Sequence, residues 1–581
     1  MVPPESALLS MATRAKSSPA FTLSLVALAA AAAVTPFFFF GNASGHDIQF
    51  HLASWMDVAG QWREGILYPR WAEWADWGFG EPRFIFYPPV SWLVGAALGS
   101  LLPWSAAPGA YIWLALVVAG MAMWKLGKGL LPAPQATAAA VFFAVNPYNL
   151  AIVYFRSDFA ELLAVAFLPL LLWAAWKVIR GEWRCVPHLA VVFAIIWLCN
   201  APEGVISTYA LALLLLADCI RQRRPQPLLL GATAMVAGFG LAAFYVVPAA
   251  WERPWVQISQ ALTANLRPEQ NFLFTHSNDA EFQLFNWKVS AIALGMMVLT
   301  GVAALVAGRR RREFGEMWWM LLALGVASAL VMIRPSAVLW RYLPELAFLQ
   351  FPWRWLGPLA VAFAFFAAAA ISTLQPRGKV RLATGALLAA IGMAGVLIAT
   401  STWWNSDDAS FLVGEIRSGH GYEGVDEYEP LGSDRYELPG ATPDAVEIPT
   451  VPPTLPIGIL DFSARKIATA SGVKLDIKQW SGERKVFSAE TAEPVTLAVR
   501  LLNYPAWEVR VDGADVQPES AEMTAQMLLP LEPGNHRVEF FFRRTWDRTA
   551  GDAISLVSAA GLLGAAAISR RRKSSTAARG A

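Results

Sequence analysis

Only three cysteines occur in the 581 residues, Cys185, Cys199 and Cys219, and all fall in or beside apolar stretches. That scarcity excludes a disulfide framework and a CxxC metal site, and leaves small apolar packing residues as their role. Charge is equally thin. Charged residues make up 15% of the chain and hydrophobic residues 56%, against about 25% and about 45–50% in soluble domains. A single soluble globule is excluded. Histidine is also rare. Of His46, His51, His188, His276, His420 and His536, only the first two lie close together, so no histidine-rich metal cluster is written into the sequence. The run Arg309 to Arg312 has only four basic residues. It suits a short inner loop better than a nucleic-acid patch, and no nucleic-acid partner is expected.

Long apolar runs fill the remainder, many of them reaching the roughly 20 residues that cross a bilayer. The chain therefore reads as a mostly α, polytopic transmembrane bundle. The run Ala20 to Phe40 lacks a clear A-x-A cleavage site and follows Arg14 and Lys16, so it is expected to be a retained first span. Further spans are expected near Gly109, Pro134, Ala160, Val186, Gly204, Gln226, Lys288, Met317, Leu356, Leu382 and Thr549, about twelve in all. Basic clusters then fall on alternate connections: Lys125/Lys128, Lys177/Arg180/Arg184, Arg221/Arg223/Arg224, Arg309 to Arg312, Arg377/Lys379/Arg381 and Arg570 to Lys573. By the positive-inside rule, both termini are expected in the cytoplasm of a cell whose inner membrane holds the protein. The run Tyr87 to Trp104 would invert this pattern if it crossed. It opens on Pro88-Pro89 and carries Gly95 and Gly99, and is expected to lie in or dip into the outer face.

Three regions follow. Residues 1–402 form the helical domain, with a long first outer loop over 41–108. Residues 403–548 form an extracytoplasmic part, and 549–581 the last span and basic tail. Within 403–548, the stretch Asn405 to Pro456 is rich in Gly, Pro and acids and reads as an irregular connection. Beyond it, "VKLDIKQW", "VTLAVRLL", "WEVRVDG" and "HRVEFFF" alternate with the strand period, separated by turn signals such as Asp512-Gly513. A small β-sandwich-like domain is expected there.

Chemistry-bearing residues gather where spans end on the outer side. In "GHDIQFH", Asp47 and His51 stand one helical turn apart, next to His46. An ordinary charged juxtamembrane helix fits that loop equally well. The second outer loop, "NPYNLAIVYFRSDFAELL", adds Arg156, Asp158 and Glu161 at the mouth of the next span, "CNAPEG" adds Glu203, and "FPWRW" adds Arg354. Charges at this depth are costly and turn toward a wet cavity. Arginine grips phosphate by its planar fork, and a carboxylate takes a proton. Most of the 26 tryptophans read as interface markers, and a sugar-stacking role is open only to those in outer loops, such as Trp71, Trp74 and Trp77.

With these motifs in view, the chain resembles the GT-C class of integral membrane glycosyltransferases. "GHDIQFH", "FYPPV", "FRSDFAE" and "FPWRW" look like the bacterial multi-pass membrane proteins labelled 6-pyruvoyl-tetrahydropterin synthase-related. "LNYPAWEVRVDG" with "PLEPGNHRVEFFFRRT" is similar to the tail of YfhO-like proteins. The label does not carry pterin chemistry, because soluble pterin synthases hold zinc through clustered histidines that this chain lacks.

The GT-C resemblance implies a polyprenyl-phosphate sugar donor and an envelope glycan, lipid or protein acceptor outside the cytoplasm. It implies Asp47 as general base and Asp158 or Glu161 as the second acid. Arg156 and Arg354 are the candidates for the phosphate, and His46, His51, Tyr87 and Glu203 for the rest of the substrate site. No organic cofactor is expected. Some members of the class use a divalent cation, for which Asp47, His51 and Asp158 are the available ligands. The early acid here is a single Asp between histidines, not a doubled acid pair. Two rival functions stand beside this one: a transporter or flippase of lipid-linked sugars, and a non-catalytic assembly factor.

Overall fold

A computed structural model of the chain describes residues 18–374, 376–438, 445–448 and 473–578. The expected basic residues Arg14 and Lys16, and residues 449–472 of the chain, lie outside the described residues.

Helices dominate because a helix closes its backbone hydrogen bonds within one segment, as hydrocarbon demands. Eight described helices are long and apolar enough to cross a membrane: Pro19–Phe40, Ala107–Gly127, Ala133–Arg156, Phe159–Ile179, Ala201–Gln222, Ala280–Phe314, Pro352–Ile371 and Arg377–Thr400. Two further runs are bent. Gln226–Leu241 turns by 74° into Ala243–Trp255, and Glu316–Val331 by 90° into Arg334–Tyr342; counting each pair as one span gives ten. The two other expected spans are helices as well, Val186–Cys199 and Trp546–Ala578. The first has 14 residues; at 1.5 Å per residue it falls short of a hydrocarbon core about 30 Å thick. The expected twelve thus become eight to ten by length and composition. Tyr87 to Trp104 forms the 13-residue helix Pro89–Leu101, too short to cross by the same arithmetic.

The bundle has an inside and a rim. In Pro352–Ile371, 94% of the apolar window is buried by protein, whereas Arg377–Thr400 and Pro19–Phe40 bury 11% and 17%. The first is the central helix, and the other two turn most of their apolar surface outward. Arg354 therefore stands at one end of the most enclosed helix of the molecule.

Strands between Lys474 and Phe542, joined by Ala445–Ile448, form a β region. A five-stranded sheet runs in the order Lys474–Trp480, Arg484–Thr491, Gly534–Phe542, Trp507–Val511, Ala514–Val516. A four-stranded sheet runs Ala445–Ile448, Val495–Leu502, Gln526–Leu531, Glu519–Ser520. Phe487, Val509, Val538 and Phe540 of the first share one core with Leu497, Val499, Met527 and Leu529 of the second. Trp71, Phe79, Ile85 and Phe86 of the loop over 41–108 enter the same core. Trp71 meets Trp507 edge-on at 5.6 Å and lies 5.5 Å from Phe542. It is fully buried, which leaves its ring no face open to a sugar.

The segment after the Arg377–Thr400 helix, expected to be irregular, carries the helix Asp408–Arg417 and the strand Ala445–Ile448, and its start is laid against the first loop. Asn42 and Ala43 pair antiparallel with Asn405 and Trp404. Further on, the Tyr422 hydroxyl donates to Asp57 at 2.8 Å, and the Val425 amide to Glu81 at 2.9 Å. Glu81 also holds Arg83 at 2.5 Å, and Arg83 reaches Ser54 at 2.8 Å. Burial pushes the Asp57 carboxyl above the ordinary range, against hydrogen bonds from Trp74, Gln61 and Tyr422 that pull it down. This polar layer fixes the helix Ile48–Arg63, which begins at Asp47, against the part beyond 403.

Candidate functional site

Asp47 owes its position to two glycines. Gly41 ends the first helix at φ 83°, its amide bonded to Phe37 O at 3.2 Å, a conformation that a Cβ disfavours. Gly45 lies flat on the neighbouring backbone; a Cβ there would meet the Arg156 carbonyl carbon and Ser157 Oγ, each at 2.5 Å. The Asp47 amide can then donate to Arg156 O at 2.9 Å. Its carboxylate Oδ2 receives Arg156 Nη2 at 2.7 Å and Nε at 3.3 Å.

The partner segment is irregular for a reason. Asn146 caps a fresh helical start at Pro147, and the span ends in a π-turn, Ile152–Arg156. Such turns aim side chains that a regular helix would place elsewhere. Ser157 follows at φ 54° and is held there by its hydroxyl on Ala43 O at 2.9 Å. Asp158 then caps the next helix. Its Oδ1 accepts from the Glu161 amide at 2.9 Å, and its Oδ2 from Arg156 Nη2 and Arg354 Nη2, each at 3.3 Å. Arg354 Nε lies 3.0 Å from Glu161 Oε2, and Glu161 also accepts from the Tyr148 hydroxyl. Burial alone would raise the Asp158 carboxyl; the His51 ring and the Arg156 and Arg354 guanidiniums outweigh it and hold it well below the usual carboxylate range.

The outer-end charges thus form one chain: Asp47, Arg156, Asp158, Arg354, Glu161. Its members differ in access. The Asp47 side chain is 32% exposed, and the others between 0% and 6%. Phe351 and Trp353 lie against the Arg156 guanidinium at 4.8 and 5.3 Å. Arg156 Nη1 is buried without a hydrogen-bond partner among the described residues. Beside it, a void lined by Tyr148, Phe155, Phe285 and Trp353 offers about 10 Å³, close to the least that holds one water.

The other candidates divide. His51 is buried; its Nε2 takes the Phe159 amide at 3.2 Å and faces Asp158 Oδ1 at 3.7 Å. Tyr87 packs on Phe50 at 4.7 Å and on His51 at 6.0 Å. His46 is exposed and lies on Phe285 at 5.0 Å. Glu203 is buried at a helix start capped by Asn200, and neither carboxylate oxygen has a hydrogen-bond partner among the described residues. Sequence reasoning missed Tyr148 and Phe351. Tyr148 meets Glu161 across two helix breaks, and no helical period spans a break.

Among the described residues, no three His, Cys, Asp or Glu side chains are gathered so as to hold a metal ion. Between Asp47 and Asp158 stands the Arg156 guanidinium, in the place a bridging cation would need. The expected ligand trio does not fit a metal in this arrangement.

A family model described as the 6-pyruvoyl-tetrahydropterin synthase related domain, a membrane protein, matches residues 84–406. That is over half of the chain, and the chain belongs to this family of multi-pass membrane proteins. Among solved structures, the chain is similar to the cryo-EM structure of the arabinofuranosyltransferase AftD from Mycobacteria, at 18% identity and a TM-score of 0.42, over 65% of this chain and 27% of that one. A mutant form of AftD from Mycobacteria gives 17% identity and a TM-score of 0.38, over 65% and 28%. The chain thus spans little more than a quarter of the solved chains it matches. No curated protein matches.

Proposed function

We propose that the protein is a membrane glycosyltransferase of the GT-C type. It takes a polyprenyl-phosphate-linked sugar and passes the sugar to an envelope glycan, lipid or protein on the extracytoplasmic side. The single observation that carries this reading is the Asp47–Arg156 pair, with a part-exposed carboxylate on one side and a buried guanidinium on the other, 2.7 Å apart. A transfer from a glycosyl phosphate needs a base and a phosphate grip next to one another, and this pair supplies both.

The chemistry follows from the residues. An acceptor hydroxyl attacks the anomeric carbon and gives its proton to Asp47. The carbon–oxygen bond to phosphate breaks, and its electron pair stays on the departing phosphate. In the resting arrangement Arg156 is shared between Asp47 and Asp158. An arriving phosphate competes for that guanidinium, and the buried Nη1 offers it a donor already free of partners. Each hydrogen bond shifted from Asp47 to phosphate frees a carboxylate lone pair that can accept the acceptor's proton. Asp158, Arg354, Glu161 and Tyr148 act by positioning: they fix Arg156 from behind. Preorganised charge of this kind stabilises the departing anion without reorganisation during the reaction.

A transporter would place broken helices near mid-span, and the span Ala133–Arg156 is itself broken at Asn146, so the two readings are separated by whether a covalent product forms.

The test is purified protein with synthetic polyprenyl-phosphate hexoses and pentoses, measuring lipid-phosphate release and glycosylated product. Acceptor-dependent release is expected. Movement of the lipid-linked sugar across a vesicle with no covalent product would overturn the reading in favour of transport.

A further inference from the structure

A second polar cavity lies away from this cluster, where the β region meets the membrane part. It has a volume of about 400 Å³, within the range of small-molecule sites, about 300–1,000 Å³. Its lining includes Tyr68 and Arg70 from the first outer loop, Arg543, Arg544 and Arg548 from the approach to the last helix, and Glu483 and Asp552. It shares no lining residue with the Asp47–Arg354 chain.

Most of these charges are already matched. Arg548 grips Glu252 through Nε and Nη2, both at 2.8 Å. Arg543 reaches Glu508 at 3.0 Å, and Arg544 pairs with Asp552. Arg70 is the exception. It is 9% exposed, its Nη2 reaches the Phe244 carbonyl at 3.3 Å, and its Nη1 has no hydrogen-bond partner among the described residues. The Tyr68 hydroxyl beside it is also buried without a partner there. Two donors without a hydrogen-bond partner among the described residues thus belong to residues that line one cavity, with the Arg70 guanidinium stacked on the Tyr68 ring at 4.5 Å. A buried donor left without a partner is costly, and a ligand carrying anionic oxygens that reaches it removes that cost. The Glu483 carboxyl also lines the cavity, and burial raises it above the usual range, against the pull of Arg548 and Arg70.

The surroundings of the cavity have the composition of a membrane interface. Trp251 and Trp546 meet edge-on at 4.6 Å and stay 50% and 59% exposed, as interfacial tryptophans do. One turn beyond Asp552, Leu556 and Val557 are strongly exposed, apolar surface that suits lipid tails. The last helix is pressed tightly against the bent pair here: a Cβ on Gly551 would meet Ala243 O at 2.6 Å, and Ser555 Oγ accepts from the Phe244 amide at 2.9 Å. The cavity floor is thereby fixed.

We propose that this cavity binds the phosphate of a phospholipid headgroup from the leaflet on the β-region side. Arg70 and Tyr68 donate from inside, and Arg544 turns from Asp552 to close over the phosphate at the rim. The bound lipid then joins the first loop, the bent helix and the β region. The site is independent of the transferase reading, because neither its residues nor its ligand take part in that reaction.

The test uses delipidated full-length protein in detergent, with binding followed by native mass spectrometry. The probes are short-chain phosphatidylglycerol, the matching diacylglycerol and inorganic phosphate. Phosphatidylglycerol is expected to bind and diacylglycerol not to. Arg70→Gln and the rim variant Arg544→Gln are each expected to weaken binding about tenfold or more, the effect of losing one charge-assisted hydrogen bond. Because Arg544 is 62% exposed, its variant keeps the test valid even where Arg70→Gln fails to fold. Equal binding of both lipids would overturn the proposal, as would unchanged affinity in Arg544→Gln. Binding of inorganic phosphate alone would assign the site to a free anion and overturn the lipid assignment.

Discussion

At the scale of single residues, the cluster contains two kinds of carboxylate. Asp47 meets solvent, whereas Asp158 has both oxygens engaged, capping a helix with one and holding two arginines with the other. Asp158→Asn separates those duties, because Asn caps a helix about as well as Asp but carries no charge. Removing one partner from a buried ion pair costs about 3–5 kcal/mol. Arg156 keeps Asp47 and Arg354 keeps Glu161, so the lower end of that range is expected at pH 7. The pH dependence has a definite sign. The Asp158 carboxyl is depressed in the fold, so its contribution is present above the unfolded value of about 3.9 and fades as pH falls toward the folded one. Thermal midpoints measured from pH 7 down to pH 3 should show wild type and Asp158→Asn converging in acid. A constant gap would mean that the charge is not what stabilises this corner.

Elements explain why the cluster was only half legible in the sequence. Placement of charges at the outer ends of apolar runs marked Asp47, Arg156, Asp158, Glu161 and Arg354, because the cost of burying charge is a one-dimensional signal. The order of pairing was not legible. It depends on a π-turn, on Ser157 at a positive φ and on Gly45 lying against the Arg156 backbone, none of which has a period. The strand Arg484–Thr491, "RKVFSAET", gives only a weak alternation because both of its faces are covered along most of its length. Trp71 resists a sequence reading because a tryptophan in an outer loop looks the same whether it faces sugar or a β-sheet core. Gly45 gives a test at this scale. Gly45→Ala forces a backbone shift at the Asp47–Arg156 contact, and misplacement by about 1 Å can cost about 10²-fold in rate. Gly60 lies in the helix that Asp47 begins, with open space where a Cβ would stand, so Gly60→Ala is the control and should leave transfer unchanged. Similar activities in the two variants would show that the approach of Gly45 does not set the site.

At the largest scale, the loop over 41–108, the described segment after 403 and the β region contact one another as one connected body. The twelve helix positions were legible because hydropathy follows directly from composition; the two bends and the short Val186–Cys199 helix were not, because they arise from packing. Leu67 and Leu431 are both exposed on that body. Cysteines placed there should both react with an impermeant reagent in intact cells, and one at Arg312 only after permeabilisation. Reaction at Arg312 alone in intact cells would invert the orientation and with it the extracytoplasmic acceptor.

The central claim, that Asp47 accepts the acceptor's proton while Arg156 holds the phosphate, is tested most directly by the kinetics of Asp47→Asn. Asn keeps the shape of Asp47 but cannot take a proton at neutral pH. Turnover should fall about 10²–10⁴-fold, the usual contribution of a positioned base, while donor affinity is kept or improved, because Arg156 loses a competitor for the phosphate. Wild-type turnover in Asp47→Asn would contradict the account and leave Asp47 as an ordinary charge at the start of a membrane-surface helix.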